Sequence, residues 1–359
     1  MAGNISSDPS NDRRVMRRIE VEHMTGIKRA HLYALMRIGH FPKSFHVGKR
    51  AVGWDSLEVE QWIAERRADR NGRGMTMRVV SLISTKGGVG KTTTAANLGG
   101  FVADAGLRVL LLDLDVQPTL SSYFELAWQA PAGTYELLAL HERDLAKLVT
   151  RTSLPNLDLI VSNDGLGQLS TLLLHAPDGR LRLRNLLSIF QAHYDLMLID
   201  TQGARSVLLE MAVLASDLAL SPVTPEILAA RELHRGTLQV LDDIAPYREL
   251  GIQPPPMHLL INRVHPVSSD ARQIQLALRQ VFGVASRVQV LRTAIPAIDA
   301  YPRAATLRLP VHRVEHRKPY GRVAPPALET MHALAGELFP AWHEQFATVS
   351  GRGGFRHDP

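Results

Sequence analysis

Cysteine is absent from the 359 residues, which excludes disulfides, thiolate zinc sites and cysteine-ligated iron–sulfur clusters and agrees with a reducing compartment. Long apolar runs are absent as well. With no signal peptide and no apolar stretch of about eighteen residues, nothing in the sequence points to export or to a membrane-spanning helix. Aromatic residues are sparse at 6%, yet 45% hydrophobic content is enough for a substantial core, and the length suits two or three folded units. Acidic residues are outnumbered at one end: residues 1–75 hold fourteen Lys/Arg against nine Asp/Glu, so of the net +6 only +1 falls on the remainder. A basic module ahead of a nearly neutral body points to nucleic acid as the partner of that module.

The stretch Ser81–Thr94, S-L-I-S-T-K-G-G-V-G-K-T-T-T, organises the rest. Residues 78–84 (RVVSLIS) have the β-branched, apolar character of a buried parallel strand, and residues 92–105 (TTTAANLGGFVADA) read as a helix ended by Gly106. In the loop between them Gly87, Gly88 and Gly90 carry no Cβ, so successive backbone N–H groups are free to turn toward an anion at the helix N-terminus. Lys91 then reaches the β/γ-phosphates and the Thr92 hydroxyl a Mg²⁺ ion.

The simplest phosphate-loop pattern, G-x-x-x-x-G-K-[ST], fails at its first glycine, which is Thr85 here. With Lys86 followed by two glycines, the stretch resembles the deviant Walker A motif, K-G-G-x-G-K-[ST], of the ParA/MinD family of ATPases. The resemblance covers residue 78 to the end. It implies an ATP/ADP and Mg²⁺ site in which Lys86, Gly87, Gly88, Val89, Gly90, Lys91, Thr92 and Thr93 hold the nucleotide, with Lys86 reaching across a dimer interface to the second subunit's nucleotide.

Residues 108–112 (RVLLL) are a second strand that delivers Asp113 and Asp115 to its C-terminal edge, where open α/β sheets bind ligands. The run L-L-L-D-L-D-V-Q resembles the family's D-x-D-P-Q, with Val116 in place of proline; by that resemblance Asp113 helps order the Mg²⁺ water shell and Asp115 positions the attacking water. Without the phosphate loop such a pair would be read as a loop cap. Residues 194–200 (YDLMLID) end in Asp200, the form of a Walker B carboxylate that holds Mg²⁺ through water. The family continues D-T-P-P, whereas here Thr201 is followed by Gln202 and Gly203. At the end of strand 259–262 the resemblance sets Asn262 beside the adenine, and an ordinary strand-end asparagine fits equally. Residues 130–155 read as helix interrupted by Pro and Gly, and 288–311 resemble the family's closing segment, with Ala297 and Ala300 where some relatives carry DNA-binding arginines.

Ahead of this body, residues 19–24 and 28–38 are spaced as a helix-turn-helix about Thr25-Gly26. Lys28, Arg29, His31 and Tyr33 fall on its outward face, residue types able to meet base edges and phosphates. Residues 45–54 read as a hairpin whose turn carries Lys49 and Arg50 as a basic wing, and 56–67 as an amphipathic helix. The series E-V-E-H-M-T-G, H-L-Y, G-H-F-P-K, V-G-K-R-A-V-G-W and E-V-E-Q-W-I resembles the AlpA-type, MerR-like winged helix-turn-helix regulators, with Lys28 where those usually carry serine. A docking module that never touches DNA is the alternative.

The expected fold class is α/β, a doubly wound, mainly parallel sheet preceded by a small winged helix-turn-helix domain. The expected organisation is a disordered leader at 1–16, a DNA-binding unit at 17–67, a linker at 68–77, an ATPase domain at 78–345 and a flexible tail at 346–359, the tail lacking the basic amphipathic helix with which MinD-like relatives bind membrane. The resemblance implies a slow ATPase of the prokaryotic cytoplasm, nucleoid-associated, with Lys86, Lys91 and Asp115 catalytic and Thr92, Asp113 and Asp200 serving the metal. Its ATP-bound homodimer would bind DNA, and a DNA-bound ParB-like protein would stimulate hydrolysis during partition of a plasmid or integrative element. The rival is a transcriptional regulator in which ATP acts only as a dimerisation switch.

Overall fold

A computed structural model of the chain describes residues 14–25, 27–29, 32–33, 36, 41–48, 51–60, 62, 77–226, 236–282 and 288–350. These belong to two compact units, residues 1–76 and 77–359.

In the first unit β1 (Val15–Met16), β2 (Phe45–Gly48) and β3 (Ala51–Asp55) form an antiparallel sheet in the order β1-β3-β2. The helix Arg18–Thr25 starts where Glu20 accepts the Arg17 backbone N–H at 2.7 Å and ends where the Thr25 hydroxyl turns back onto the Val21 carbonyl at 2.6 Å. Met16, Val21, Leu32, Phe41, Trp54 and Val59 are its buried core, and the Trp54 indole donates to the Pro42 carbonyl at 3.2 Å. Residues 14–16, expected in the leader, belong to this fold: Met16 is buried, and the Arg14 backbone N–H donates to Ser56 Oγ at 3.0 Å. A two-residue strand has no periodicity to betray it.

The second unit is built on one sheet. Its strands are β4 (Arg78–Leu82), β5 (Val109–Asp113), β6 (Leu126–Trp128), β7 (Thr150–Thr152), β8 (Leu157–Ile160), β9 (Leu196–Asp200), β10 (Leu218–Val223), β11 (Met257–Val264) and β12 (Val288–Pro296). They lie in the order β12-β11-β10-β4-β9-β5-β8-β7-β6. The strands from β12 through β8 are all parallel, while β7 and β6 return antiparallel at one edge. Of that pair β7 falls within the helix expected over residues 130–155, where helices occupy only Thr134–Ala139 and Leu145–Leu148. Strands of three residues are too short for an alternation to show, and pairing with β8 decides them.

The central strands are apolar on both faces because helices cover both. Val109, Leu111, Leu196 and Leu198 point into a core shared with Phe101, Met331 and Leu334, while Leu110, Leu112, Met197 and Ile199 point the other way toward Leu208 and Met211. The first of these cores runs on past residue 345: Phe346 and Val349 are buried, Phe346 packs 5.6 Å from the Phe101 ring, and His332 Nε2 bonds the Val349 carbonyl at 3.0 Å. The tail expected from 346 therefore begins too early, because two isolated apolar residues carry no period of their own. Among the described residues no helix is long and apolar enough to cross a membrane.

The chain leaves β4 through the helix Lys91–Asp104 and enters β5 two positions away; β9 later fills the gap between them, and β10 starts the other side of β4. The loops after β4, β5 and β9 thus open into one crevice at the strands' C-terminal ends.

Candidate functional site

The loop Thr85–Gly90 follows β4 and runs into the helix Lys91–Asp104, whose N-cap is Gly90. Gly88 and Gly90 are left-handed, with φ of 73° and 96°, and the helix has no acid in its first turn, so its positive end faces the loop uncompensated. Gly90 is required twice over. A Cβ there would collide with the Asn262 side-chain amide, which donates to the Val89 carbonyl at 2.7 Å and holds the loop against the end of β11. Gly90→Ala should accordingly cost about 1–3 kcal/mol in stability and lower nucleotide affinity as well, measured by denaturant unfolding and by titration; an unchanged midpoint would contradict the strut.

Strand register brings the acids together. Asp200, at the end of β9, pairs with Leu82 on β4 and with Asp113 on β5. Asp200 is wholly buried, and neither of its carboxylate oxygens has a hydrogen-bond partner. Burial above all pushes its carboxyl up to about 7; the neighbouring Thr92 hydroxyl, outside regular hydrogen-bond geometry, and the Lys91 ammonium act against that, and Asp113 adds to it. Asp113 is also buried and pushed up to about 6 by desolvation, although it accepts from Ser121 N (2.8 Å), Ser121 Oγ (2.7 Å) and Asp115 N (3.1 Å). Lys91 is buried, which lowers its pKa, while Asp200 and Asp115 pull the other way. Asp115 stands more open, with one carboxylate oxygen taking the Gln117 N–H at 3.0 Å.

These groups fit a magnesium nucleotide. A buried carboxylate without a donor is costly unless a cation meets it, and the glycine loop offers backbone N–H groups beside a buried lysine. Among the described residues no three His, Asp or Glu side chains are grouped to hold a metal alone. Mg²⁺ needs none, since it is commonly bound through one or two carboxylates together with phosphate oxygens and water.

Lys86 leaves this cluster and stands 3.4 Å from Glu226 at the surface, its backbone N–H on Ser84 Oγ at 3.1 Å. Two segments press on its loop. A Cβ at Gly203 would sit 2.7 Å from Gly87 Cα, and Thr237 Oγ1 accepts the Thr85 N–H at 3.3 Å. The first contact accounts for Gly203 where the D-T-P-P pattern has its second proline, since a side chain at 203 has no room against Gly87. Thr201 Oγ1 donates to the Leu82 carbonyl at 2.7 Å and fixes the start of that segment.

Asn262 lines a cavity of about 480 Å³ beside the loop, together with Thr93, Asn97, Arg263, Pro296 and Tyr301. Its side-chain oxygen accepts the Arg263 N–H at 2.9 Å, so part of its amide already serves the protein. Asn97, which sequence reading passed over, ties the loop helix to its surroundings: Nδ2 donates to Tyr123 Oη at 3.0 Å and Oδ1 accepts the Val311 N–H at 2.6 Å. Neither Asn97 nor Ser121 belongs to a motif that would announce it.

In the N-terminal unit Lys28, Arg29 and Tyr33 are exposed, Tyr33 standing edge-on to Trp54 with centroids 6.4 Å apart. His31, Lys49 and Arg50, expected on the same DNA face, lie outside the described residues.

A family model described as "AAA domain" matches residues 77–247, and one described as "Prophage CP4-57 regulatory protein (AlpA)" matches residues 14–67. A "Putative replication protein A" of Sinorhizobium fredii is 24% identical over 93% of this chain and 88% of its own length. An uncharacterised protein of Pseudomonas putida is 31% identical over 73% of this chain and 94% of its own. The chromosome partitioning protein ParA of Myxococcus xanthus is 32% identical, over 45% of this chain and 56% of that protein, so the chain spans little more than half of it. Among solved structures a McdA–ATP complex from Cyanothece shares the fold, with a TM-score of 0.61 at 22% identity over 77% of this chain and 99% of that one.

Proposed function

Because the chain belongs to the ParA/MinD-type P-loop ATPases and carries an AlpA-type module ahead of its ATPase unit, we propose that it is a partition ATPase maintaining a plasmid or integrative element. The observation that carries this is the meeting, at one sheet edge, of a glycine loop, the buried Lys91 and the unsatisfied carboxylate of Asp200. Residues 86–93 cradle ATP; Thr92 and, through water, Asp200 and Asp113 would hold Mg²⁺, whose charge would offset that of the phosphate oxygens. Asp115, the more open acid, orients the attacking water. Asn262 and the cavity beside it take the base.

Lys86 acts on the nucleotide of a second copy, consistent with its place at the surface, away from its own cluster. The ATP-bound dimer binds DNA, the N-terminal unit reads a specific site through Lys28, Arg29, His31, Tyr33, Lys49 and Arg50, and a ParB-like protein stimulates slow hydrolysis. A second reading, an ATP-switched regulator of a mobile element, is favoured by the match of residues 14–67 to a phage regulatory protein.

Asp115→Ala separates the two. It should keep ATP binding and slow hydrolysis by about a hundredfold or more, the size of effect expected for a group that handles the water's proton. In cells it should lose the element at division. Stable inheritance with altered transcription would replace partition by the regulator.

A further inference from the structure

Asp113 and Asp115 leave β5 on a turn that is anchored at both ends. Leu114 is buried in the core shared with Leu112 and Met197, and Leu120 in the core on the other face of the sheet, shared with Phe101 and Leu111. Next to β5 lies β8, with Leu112 opposite Ile160. The residues that follow these two strands therefore meet at the crevice, and Ser162, two positions beyond β8, comes to lie against the turn.

There the hydrogen bonds close on themselves. Ser121 gives its backbone N–H and its hydroxyl to Asp113 Oδ2 at 2.8 and 2.7 Å, and the Asp115 N–H reaches the other oxygen of Asp113 at 3.1 Å. Having donated its one hydroxyl proton, Ser121 Oγ accepts the Ser162 N–H at 3.0 Å, and Ser162 Oγ donates to the Asp115 carbonyl at 2.6 Å. The circuit runs from Asp113 through Ser121 and Ser162 to Asp115, and the Asp115 N–H returns it to Asp113. Asp200 differs: among the described residues no donor meets either of its oxygens, so its carboxylate is left for the metal, whereas that of Asp113 is turned and held by the protein. The Asp115 carboxylate takes the Gln117 N–H at 3.0 Å on one oxygen, and its aim depends on where its backbone is fixed.

We propose that Ser121 and Ser162 are positioning residues for hydrolysis, which fix the spacing between Asp113 and Asp115; this rests on assigning Asp113 to the metal's water and Asp115 to the attacking water. Ser162 comes from the strand beside β5, outside the phosphate loop and both acidic motifs, and reaches Asp115 through its carbonyl. It therefore acts on the chemical step and leaves ATP binding to residues 86–93. A shift of about 1 Å in a catalytic group is enough to cost about a hundredfold in rate. A neighbour that orients a metal-serving carboxylate typically carries about ten- to a hundredfold in activity or metal affinity.

The test is Mg²⁺-dependent ATP hydrolysis by the full chain, read as kcat, KM and the Mg²⁺ concentration at half-maximal rate. Ser162→Ala removes the bond to the Asp115 carbonyl and keeps the backbone N–H; it should lower kcat about tenfold, with KM for ATP within about twofold of wild type. Ser121→Ala should lower kcat by a similar factor and raise the half-saturating Mg²⁺ about fivefold or more. Ser121→Thr, which keeps the hydroxyl, should restore both. Because the two serines share one circuit, the double alanine variant should lose less than the product of the single losses. Melting temperature and ATP affinity identify a variant that has failed to fold, and Ser162→Ala serves by itself if Ser121→Ala does so. Wild-type kcat in the folded alanine variants would overturn the proposal and leave the two acids their roles. Losses confined to the melting temperature would overturn it as well. A wild-type chain that binds ATP without hydrolysing it would end the roles of both acids and the proposal together.

Discussion

Lys91→Ala should abolish detectable ATP binding, whereas Lys86→Ala should bind ATP nearly as well as the wild type and fail to self-associate when it does. The two lysines are five residues apart and chemically identical, so what separates them is placement. Lys91 is buried at the helix N-terminus, within reach of Asp200 and Asp115. Each charged hydrogen bond it makes to phosphate is worth about 1.5–3 kcal/mol, and several in a site shielded from water make a loss of a hundredfold or more in affinity. Lys86 is partly exposed and pairs with Glu226 at 3.4 Å on the surface, where an ion pair contributes about 0–1 kcal/mol. Titration with labelled ATP and sedimentation with and without nucleotide check both. Equal loss of binding in the two variants would show that Lys86 serves its own protomer's nucleotide.

Asp200→Asn should have opposite effects on the empty and the loaded protein. Burial pushes the Asp200 carboxyl up to about 7, against about 3.9 in an unfolded chain. A folded-state pKa above the unfolded value in an acid means that ionisation opposes folding. That penalty is absent below about pH 4, grows as pH rises toward 7 and is complete above it. Without ligand the asparagine variant should therefore be the more stable at pH 8, by up to about 4 kcal/mol, with the gain vanishing near pH 4. With ATP and Mg²⁺ the order reverses, because only the wild type offers the metal the carboxylate at position 200. Urea unfolding at the two pH values, with and without ligand, reads all four quantities. A variant less stable than wild type at pH 8 without ligand would mean that Asp200 already has a partner in the empty protein.

The part of this site visible in the sequence is the part whose chemistry is local. A phosphate loop needs glycines and a lysine at fixed spacing ahead of a helix, and residues 86–92 carry them contiguously. Asp113 and Asp200 were legible as strand ends, and a parallel sheet then had to bring them together: the register Asp113 to Asp200 to Leu82 follows once β9 lies between β4 and β5. What stayed hidden depends on distant pairs. Ser121 reaches Asp113 only because the chain after β5 folds back, and Asn97 meets Val311 across 214 residues. Gly203 looked like a broken motif until Gly87 was seen against it. The antiparallel strands β6 and β7 and the burial of Phe346 failed for another reason, since segments so short carry no period and are placed by their neighbours.

The central claim is that residues 86–93 wrap a nucleoside triphosphate together with magnesium. Thermal unfolding of the full chain with ATP and Mg²⁺, compared with either alone, tests it most directly: at a hundred times the dissociation constant the ligand should add about 2.7 kcal/mol of stability, absent in Lys91→Ala. A melting curve that ATP and Mg²⁺ leave unmoved would contradict it.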